Sequence, residues 1–408
     1  MSVFRSLPVW VVITAGALVV SLSMGIRQSF GLFLSPMSLD LEIGREAFAL
    51  ALAIQNLIWG CMQPFAGMIA DRYGSGRVIA GGGILYLIGL LIMADAESIW
   101  GLHIGGGLLI GFALSGVTFG VVLGAIGRQV TEEKRSLAFG IATAGGSLGM
   151  AIMGPLGQAF IGAYGWPMAL VIMAAMASVM AMVAVFLTGR PETPQQTSGA
   201  AEAEAAQTMG RALREAAGHS GYRYLTLGFF VCGFHVAFIG VHLPAYVADV
   251  GLSPHVGAFA LALIGLFNIV GTFTAGWIGG RYSKKNSLAW LYGLRALVFL
   301  VFLIAPKTEM TVYIFSATIG LLWLSTVPLT SGLVAQIFGV RYMSTLFGIV
   351  FFSHQIGSFV GVWWGGWLFD VFGSYDYMWI ASVIMGVVSA ALHLPIREGR
   401  HVPEPARA

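Results

Sequence analysis

Residues 67–77 read Gly67-Met68-Ile69-Ala70-Asp71-Arg72-Tyr73-Gly74-Ser75-Gly76-Arg77, and residues 276–285 read Gly276-Trp277-Ile278-Gly279-Gly280-Arg281-Tyr282-Ser283-Lys284-Lys285. Each is a short basic interruption between two apolar runs, and Gly67 and Gly276 lie 209 residues apart. The correspondence extends outward from them. At an offset of 208, Gly25, Phe30 and Pro36 meet Gly233, Phe238 and Pro244, and Phe139-Gly140-Ile141 meets Phe347-Gly348-Ile349. The same offset pairs Gly149, Gly157 and Gly165 with Gly357, Gly365 and Gly373. Between these, Phe48-Ala49-Leu50-Ala51-Leu52 matches Phe259-Ala260-Leu261-Ala262-Leu263 at 211. A near-constant offset over four helix pairs is not a product of composition bias, so one half of the chain repeats the other.

Composition says what is repeated. Of 408 residues, 57% are hydrophobic and 10% are charged, against roughly 25% charged in a soluble domain. So few charges do not cover an aqueous surface, which excludes a soluble enzyme, a disordered chain and a nucleic-acid binder. A disulfide scaffold is excluded too, since Cys61 and Cys232 are the only cysteines and both lie in apolar runs. A mean hydropathy of +0.84 agrees. Counting runs of about 20 mostly apolar residues predicts twelve spans: 9–33, 46–70, 77–94, 99–127, 136–163, 166–188, 222–248, 255–280, 286–305, 309–338, 343–371 and 375–394. The first run is too long for a cleavable signal and lacks a polar cleavage region. The polar stretch 189–221, with Pro191, Pro194, Gln195 and Gln196, reads as a solvated linker carrying a short helix at 208–217.

The expected organisation is a bundle over 1–188, a cytoplasmic linker over 189–221, a second bundle over 222–394 and a cytoplasmic tail over 395–408. The fold class is all-α and membrane-spanning, with twelve transmembrane helices in two pseudo-symmetric six-helix bundles. With the N-terminus inside, 17 of the 21 lysines and arginines fall on the inner side, and only Arg45 and Lys307 on the outer. That bias predicts both termini in the cytoplasm and the protein in the plasma (cell inner) membrane. Six crossings per copy make the repeat a parallel one, as in carriers whose site lies near the bilayer midplane between the halves.

The stretch 67–77 resembles the signature loop between the second and third helices of major facilitator transporters. The resemblance implies a latch: Asp71, at a cytoplasmic helix end with Arg72 and Arg77, joins the halves in one state and releases them in another. The C-terminal copy lacks the acid and keeps only the basic part. A narrower resemblance runs through Lys134-Arg135-Ser136-Leu137-Ala138-Phe139-Gly140-Ile141-Ala142-Thr143-Ala144-Gly145-Gly146-Ser147, Pro155-Leu156 and Tyr164-Gly165-Trp166. It is similar to the fifth helix of the monocarboxylate porter branch, with the related oxalate/formate exchangers beside it. Ser29-Phe30-Gly31-Leu32-Phe33 also resembles that branch, where a cation precedes the serine; here Arg27 lies one position further back. That branch carries an arginine deep in its eighth helix, where this chain has Thr272, and Asn268 stands where an acid is common.

All 18 acids fall on the inner or outer side, at span ends or in loops, linker and tail, and none lies mid-span. The spans hold Arg27, Arg295, His235, His242 and His354 instead. Ionisable groups cost about 2.5–3.5 kcal/mol at a helix centre on insertion scales, so each is a candidate. Fixed cations without a carboxylate favour an anion, and the planar fork of Arg27 suits a carboxylate. The repeat matches Arg27 with His235, which predicts a permanent cation and a titratable group facing each other at one depth. The expected substrate-binding set is Arg27, His235, His354, Gln355, Asn268 and Asn56, with His235, His354 and His242 as proton-coupling candidates. Gly154 and Pro155 are expected to kink the fifth helix; the other glycine-rich runs read as close helix packing. Arg295 reads as structural. No metal spacing, nucleophile triad or nucleotide motif is present, and no cofactor is expected.

The reading is therefore not an enzyme but a monomeric secondary transporter of a small organic anion, by resemblance a monocarboxylate. Proton symport or exchange of a second anion would drive it. The alternatives are a drug or metabolite exporter of the same fold, since Gly154-Pro155 faintly resembles the exporter signature, and a non-transporting sensor.

Overall fold

The computed structural model describes residues 8–129, 132–188, 209–338 and 343–399. Most of the linker and the tail from residue 400 lie outside the described residues. No strand occurs among those described. Among the described residues, eleven helices are long and apolar enough to cross a membrane. One of these, Ala138–Leu187, bends at Gly165, whose φ of +78° is a region that glycine enters without a Cβ clash. Gly157 and Met173, eight residues to either side, then lie against each other, so the segment is a hairpin of two spans.

Twelve membrane-length helices result. They are α1 Val9–Asp40, α2 Arg45–Tyr73, α3 Ser75–Ala94 and α4 Ile99–Gly127, then α5 and α6 on either side of Gly165. The second half holds α7 Ser220–Asp249, α8 Pro254–Arg281, α9 Lys284–Ile304, α10 Glu309–Phe338, α11 Met343–Phe372 and α12 Asp376–His393. A short amphipathic helix, Met209–Gly218, precedes α7 close to where the sequence places it.

Three of the helices depart from regular form. A turn of 3₁₀ geometry in α1, Phe30–Phe33, tightens it at the level of its contact with α7. Thr118, with extended backbone, interrupts α4. Residues 323–325 interrupt α10. The repeat relates Thr118 to Thr326, so the two breaks are equivalent. Backbone groups freed inside a membrane need partners, and both breaks have them. Ser23 Oγ donates to the Val117 carbonyl at 3.2 Å, and Trp59 Nε1 donates to Thr118 Oγ1 at 3.2 Å. In α10, the Arg295 guanidinium donates to the carbonyls of Leu322 and Trp323. Leu324 N donates to Asn268 Oδ1 at 3.0 Å. Arg295 is 1% exposed, and the structural reading of it is what its bonds describe.

The halves meet through α1–α7, α2–α11 and α5–α8. At the face that carries Arg45, opposite the termini, they touch backbone to backbone. A Cβ on Gly31 would fall 2.4 Å from the Gly240 carbonyl, one on Gly366 2.7 Å from the Arg45 carbonyl, and one on Gly154 2.7 Å from the Ala258 carbonyl. Deeper in, Gly60 lies against Gln355, and Gly265 against Ala151. The terminal face is different. Seven residues on from Gly60 and seven back from Gln355 stand Gly67 and Gly348. Seven back from Ser147 and eight on from Asn268, which bond each other, stand Gly140 and Gly276. Among the described residues, a Cβ on any of these four would meet nothing within 4 Å. The halves are closed at the Arg45 face and parted at the terminal face.

Candidate functional site

A cavity opens between α1, α2 and α7, lined in part by Arg27, Gln28, Gln55, Asn56, Val236 and Gly240. Arg27 is the one ionisable residue in its lining. Its Nη2 donates to Asn56 Oδ1 at 2.5 Å, and its guanidinium carbon stands 5.2 Å from the Trp59 ring centroid. Asn56 Nδ2 in turn donates to the Leu52 carbonyl at 2.8 Å, which fixes the amide so that its oxygen faces the arginine. Arg27 Nε is buried and has no partner. Gln28, 5% exposed, likewise has a buried, unpartnered Nε2. The rest of the wall is mixed, with Phe30, Leu52, Ala237 and Val241 beside the Gln55 and Asn56 amides, and the two unused N–H donors belong to residues that line it. The Gly31–Gly240 crossing covers it on the Arg45 side.

The expected facing of Arg27 and His235 is not what the structure makes. The residues of α7 in the cavity are Val236, Ala237, Gly240 and Val241. His235 turns into its own half, where its Nε2 lies 2.9 Å from the Ser382 carbonyl and its ring packs edge-on against Phe299 at 4.7 Å. A carbonyl only accepts, so Nε2 carries the proton. Repeat equivalence sets depth along the helix, not the side chain's direction around it. His242 is also held: Nε2 lies 2.8 Å from the Val362 carbonyl and Nδ1 3.0 Å from the Tyr375 hydroxyl.

His354 and Gln355 lie on α11, outside the cavity lining. His354 Nδ1 lies 3.1 Å from Gln355 Oε1, and its ring stacks on Phe351 with an interplanar angle of 7°. Phe351 meets Trp59 edge-on at 5.8 Å, so a run of rings leads from Arg27 to His354. Asn268 is engaged at both ends of its amide: it donates to Ser147 Oγ at 3.1 Å and accepts from Thr272 and Leu324. It joins the halves and steadies the α10 break. Gly154 serves close approach to α8, and the backbone stays helical through Gly154 and Pro155, with Gly165 the one non-helical residue of that segment.

At the terminal face, Asp71 lies in α2, but its side chain is outside the described residues. Arg72 and Arg77 are exposed, and Arg72 lies over Tyr73 at 5.4 Å. The junction that the described residues form is at the other face. The Arg45 fork holds Asp249 at 2.5 and 2.6 Å and lies 3.8 Å above the Phe369 ring. Asp370 accepts from the backbone N–H groups of Arg45 and Glu46, at 3.0 and 2.7 Å, and so caps α2 from the other half. Trp363 Nε1 donates to Glu46 Oε1 at 2.8 Å. Arg45 Nη1 donates to the Tyr375 hydroxyl at 3.1 Å, leaving that O–H to donate to His242 Nδ1. Burial pushes the Tyr375 phenol well above its ordinary range, which keeps that proton in place. Sequence reasoning missed Gln28 because a single amide beside an arginine carries no pattern. It missed the Arg45 junction because acids at span ends were set aside as surface groups.

The Major Facilitator Superfamily profile matches residues 16–362 and 225–408. Among curated proteins, monocarboxylate transporter 12 of Rattus norvegicus is 26% identical over 361 residues, covering 81% of this chain and 73% of the relative. The uncharacterised MFS-type transporter YcxA of Bacillus subtilis is 24% identical over 379 residues, covering 90% of each chain. Among solved structures, a point mutant of the nucleoside transporter NupG superposes with a TM-score of 0.79 at 13% identity, over 94% of this chain and 99% of that one. A bacterial homologue of the lysosomal transporter Spinster, in an inward-facing and unoccupied conformation, gives 0.75 at 15% identity, over 96% of this chain and 97% of that one. Twelve helices in a parallel repeat, a cavity between the halves and a profile match over most of the chain agree: the protein belongs to the major facilitator superfamily and is a membrane transporter, not an enzyme.

Proposed function

We propose that the protein carries a small organic monocarboxylate by alternating access. The observation that carries this reading is the buried, unpartnered Nε of Arg27 in a cavity without an acid. A carboxylate is the ligand that satisfies it, and one cation suits one carboxylate. The likeness to monocarboxylate transporter 12 supports the same class. The lysine and arginine bias supports cytoplasmic termini, so the conformation described opens inward.

The coupling we propose is exchange of one anion for another. An empty site leaves the Arg27 charge uncompensated, and occluding it in a dry seam is costly. A bound carboxylate removes that cost, so the loaded carrier crosses more readily than the empty one. A second reading is proton symport through His354, a buried imidazole that the Trp59 and Phe351 rings join by packing to Arg27, so that its environment changes when the Arg27 charge is compensated.

The test is a thermal-shift screen of the purified chain against carboxylates, cations and neutral compounds, followed by counterflow in proteoliposomes between pH 5.5 and 8. Stabilisation by monocarboxylates alone, with counterflow faster than net uptake, is the expected result. Stabilisation by cations or neutral compounds only would overturn the anion site. Net uptake that keeps pace with counterflow and steepens as pH falls would move the coupling to His354.

A further inference from the structure

The cavity offers more than a cation. Gln28 is 5% exposed, and its Nε2 has no partner. Leaving a buried N–H unpaired is costly, so this amide is a poor space filler. Its surroundings are built around it. Gly240 of α7 stands opposite, and a Cβ there would lie 3.7 Å from both Nε2 and Oε1 of Gln28. The amide thus faces Gly240 of the other half across a gap that a methyl group would fill, beside the Gly31–Gly240 crossing. The repeat equivalent of Gln28 is Val236, which also lines the cavity and brings no polar atom. One neutral donor therefore stands beside one charged donor, facing an aliphatic wall.

We propose that Gln28 is a specificity-determining residue. In this proposal, Arg27 anchors the carboxylate and the Gln28 amide bonds a second oxygen, hydroxyl or oxo, on a carbon near it. Plain aliphatic carboxylates of the same length then bind more weakly, because they leave Nε2 unpaired. This inference rests on the anion-site reading above. An amide both donates and accepts, so it suits a hydroxyl as well as a carbonyl oxygen. A site built to bond a substrate oxygen rejects the analogue that lacks it far more strongly than an apolar pocket rejects an added hydroxyl.

The experiment compares dissociation constants of butanoate, 2-hydroxybutanoate, 3-hydroxybutanoate and 2-oxobutanoate for the purified full chain. It uses wild type, Gln28→Met and Gln28→Leu, with methionine preserving side-chain length if leucine fails to fold. Wild type is expected to prefer at least one oxygenated acid over butanoate by roughly 10- to 100-fold. Gln28→Met should bring that ratio to within about threefold while still binding butanoate. A purely structural role for Gln28 would change all four constants together and leave the ratio untouched, which overturns the proposal. So does a flat wild-type ratio with butanoate bound well, in which case the anion site stands. Binding of none of the four acids by wild type overturns both readings together.

Discussion

Arg27 shows how one side chain defines a site. Its fork is half used, by Asn56, and half free. Arg27→Ala should abolish carboxylate binding while the protein still folds, since no ion pair among the described residues is lost with it. Arg27→Lys should recover only part of the affinity, because an ammonium reproduces the charge but not the planar pair of donors. Titration of both variants by calorimetry checks this; near-normal binding by Arg27→Ala would remove the site. Asn56 and Arg27 were legible together in the sequence because polar residues inside apolar spans stand out. The facing of His235 was not. The repeat places it level with Arg27, yet its ring finds the Ser382 carbonyl and the Phe299 edge in its own half. Whether a helix turns a residue inward or sideways depends on partners that sequence spacing does not name.

Among the elements, α10 shows most clearly what a buried charge can do without a counter-ion. Its break exposes two carbonyls, and Arg295 of α9 satisfies both. Removing the guanidinium leaves those acceptors unpaired in a dry interior. Arg295→Ala should therefore lower stability by about 2–4 kcal/mol, read as earlier thermal unfolding in detergent. Substrate affinity should fall far less than stability, because Arg295 lies outside the cavity. The spans themselves were legible from apolar length alone, and the α5–α6 turn from Gly165. The breaks at Thr118 and 323–325 were not, because each is stabilised by partners from other helices: Ser23 and Trp59 for one, Arg295 and Asn268 for the other. Within their own helices those segments read as uninterrupted apolar sequence.

For the whole molecule, conformation is set by what joins the halves at each face. An exposed ion pair alone contributes little, but Arg45 and Asp249 belong to a junction with the Asp370 cap, the Trp363–Glu46 bond and the Tyr375 hydroxyl. Asp249→Asn should loosen it and raise the population open at the Arg45 face. An impermeant maleimide added from that side to Val241→Cys would report the change as faster labelling in the Asp249→Asn background; equal rates would mean that the junction is not a gate. Asp71→Asn, at the parted face, is expected to shift labelling the opposite way. The sequence pointed to the Asp71 end because the family signature lies there. The Arg45 end joins residues more than 200 positions apart and shows itself only in three dimensions.

The four vacant glycines carry a further consequence. Their spacing continues the register already in use deeper along the same helices, so shutting the terminal face needs a tilt and no sliding of one helix past another. The movement is that of a book closing, with Gly67 meeting Gly348 on one margin and Gly140 meeting Gly276 on the other. A bulky residue at any of them would act as a doorstop. Gly67→Leu should bind substrate at close to wild-type affinity yet fail to deliver it across a vesicle membrane. A Gly67→Cys, Gly348→Cys pair should crosslink only when the covers meet, at a Cα separation of roughly 4.4–6.8 Å.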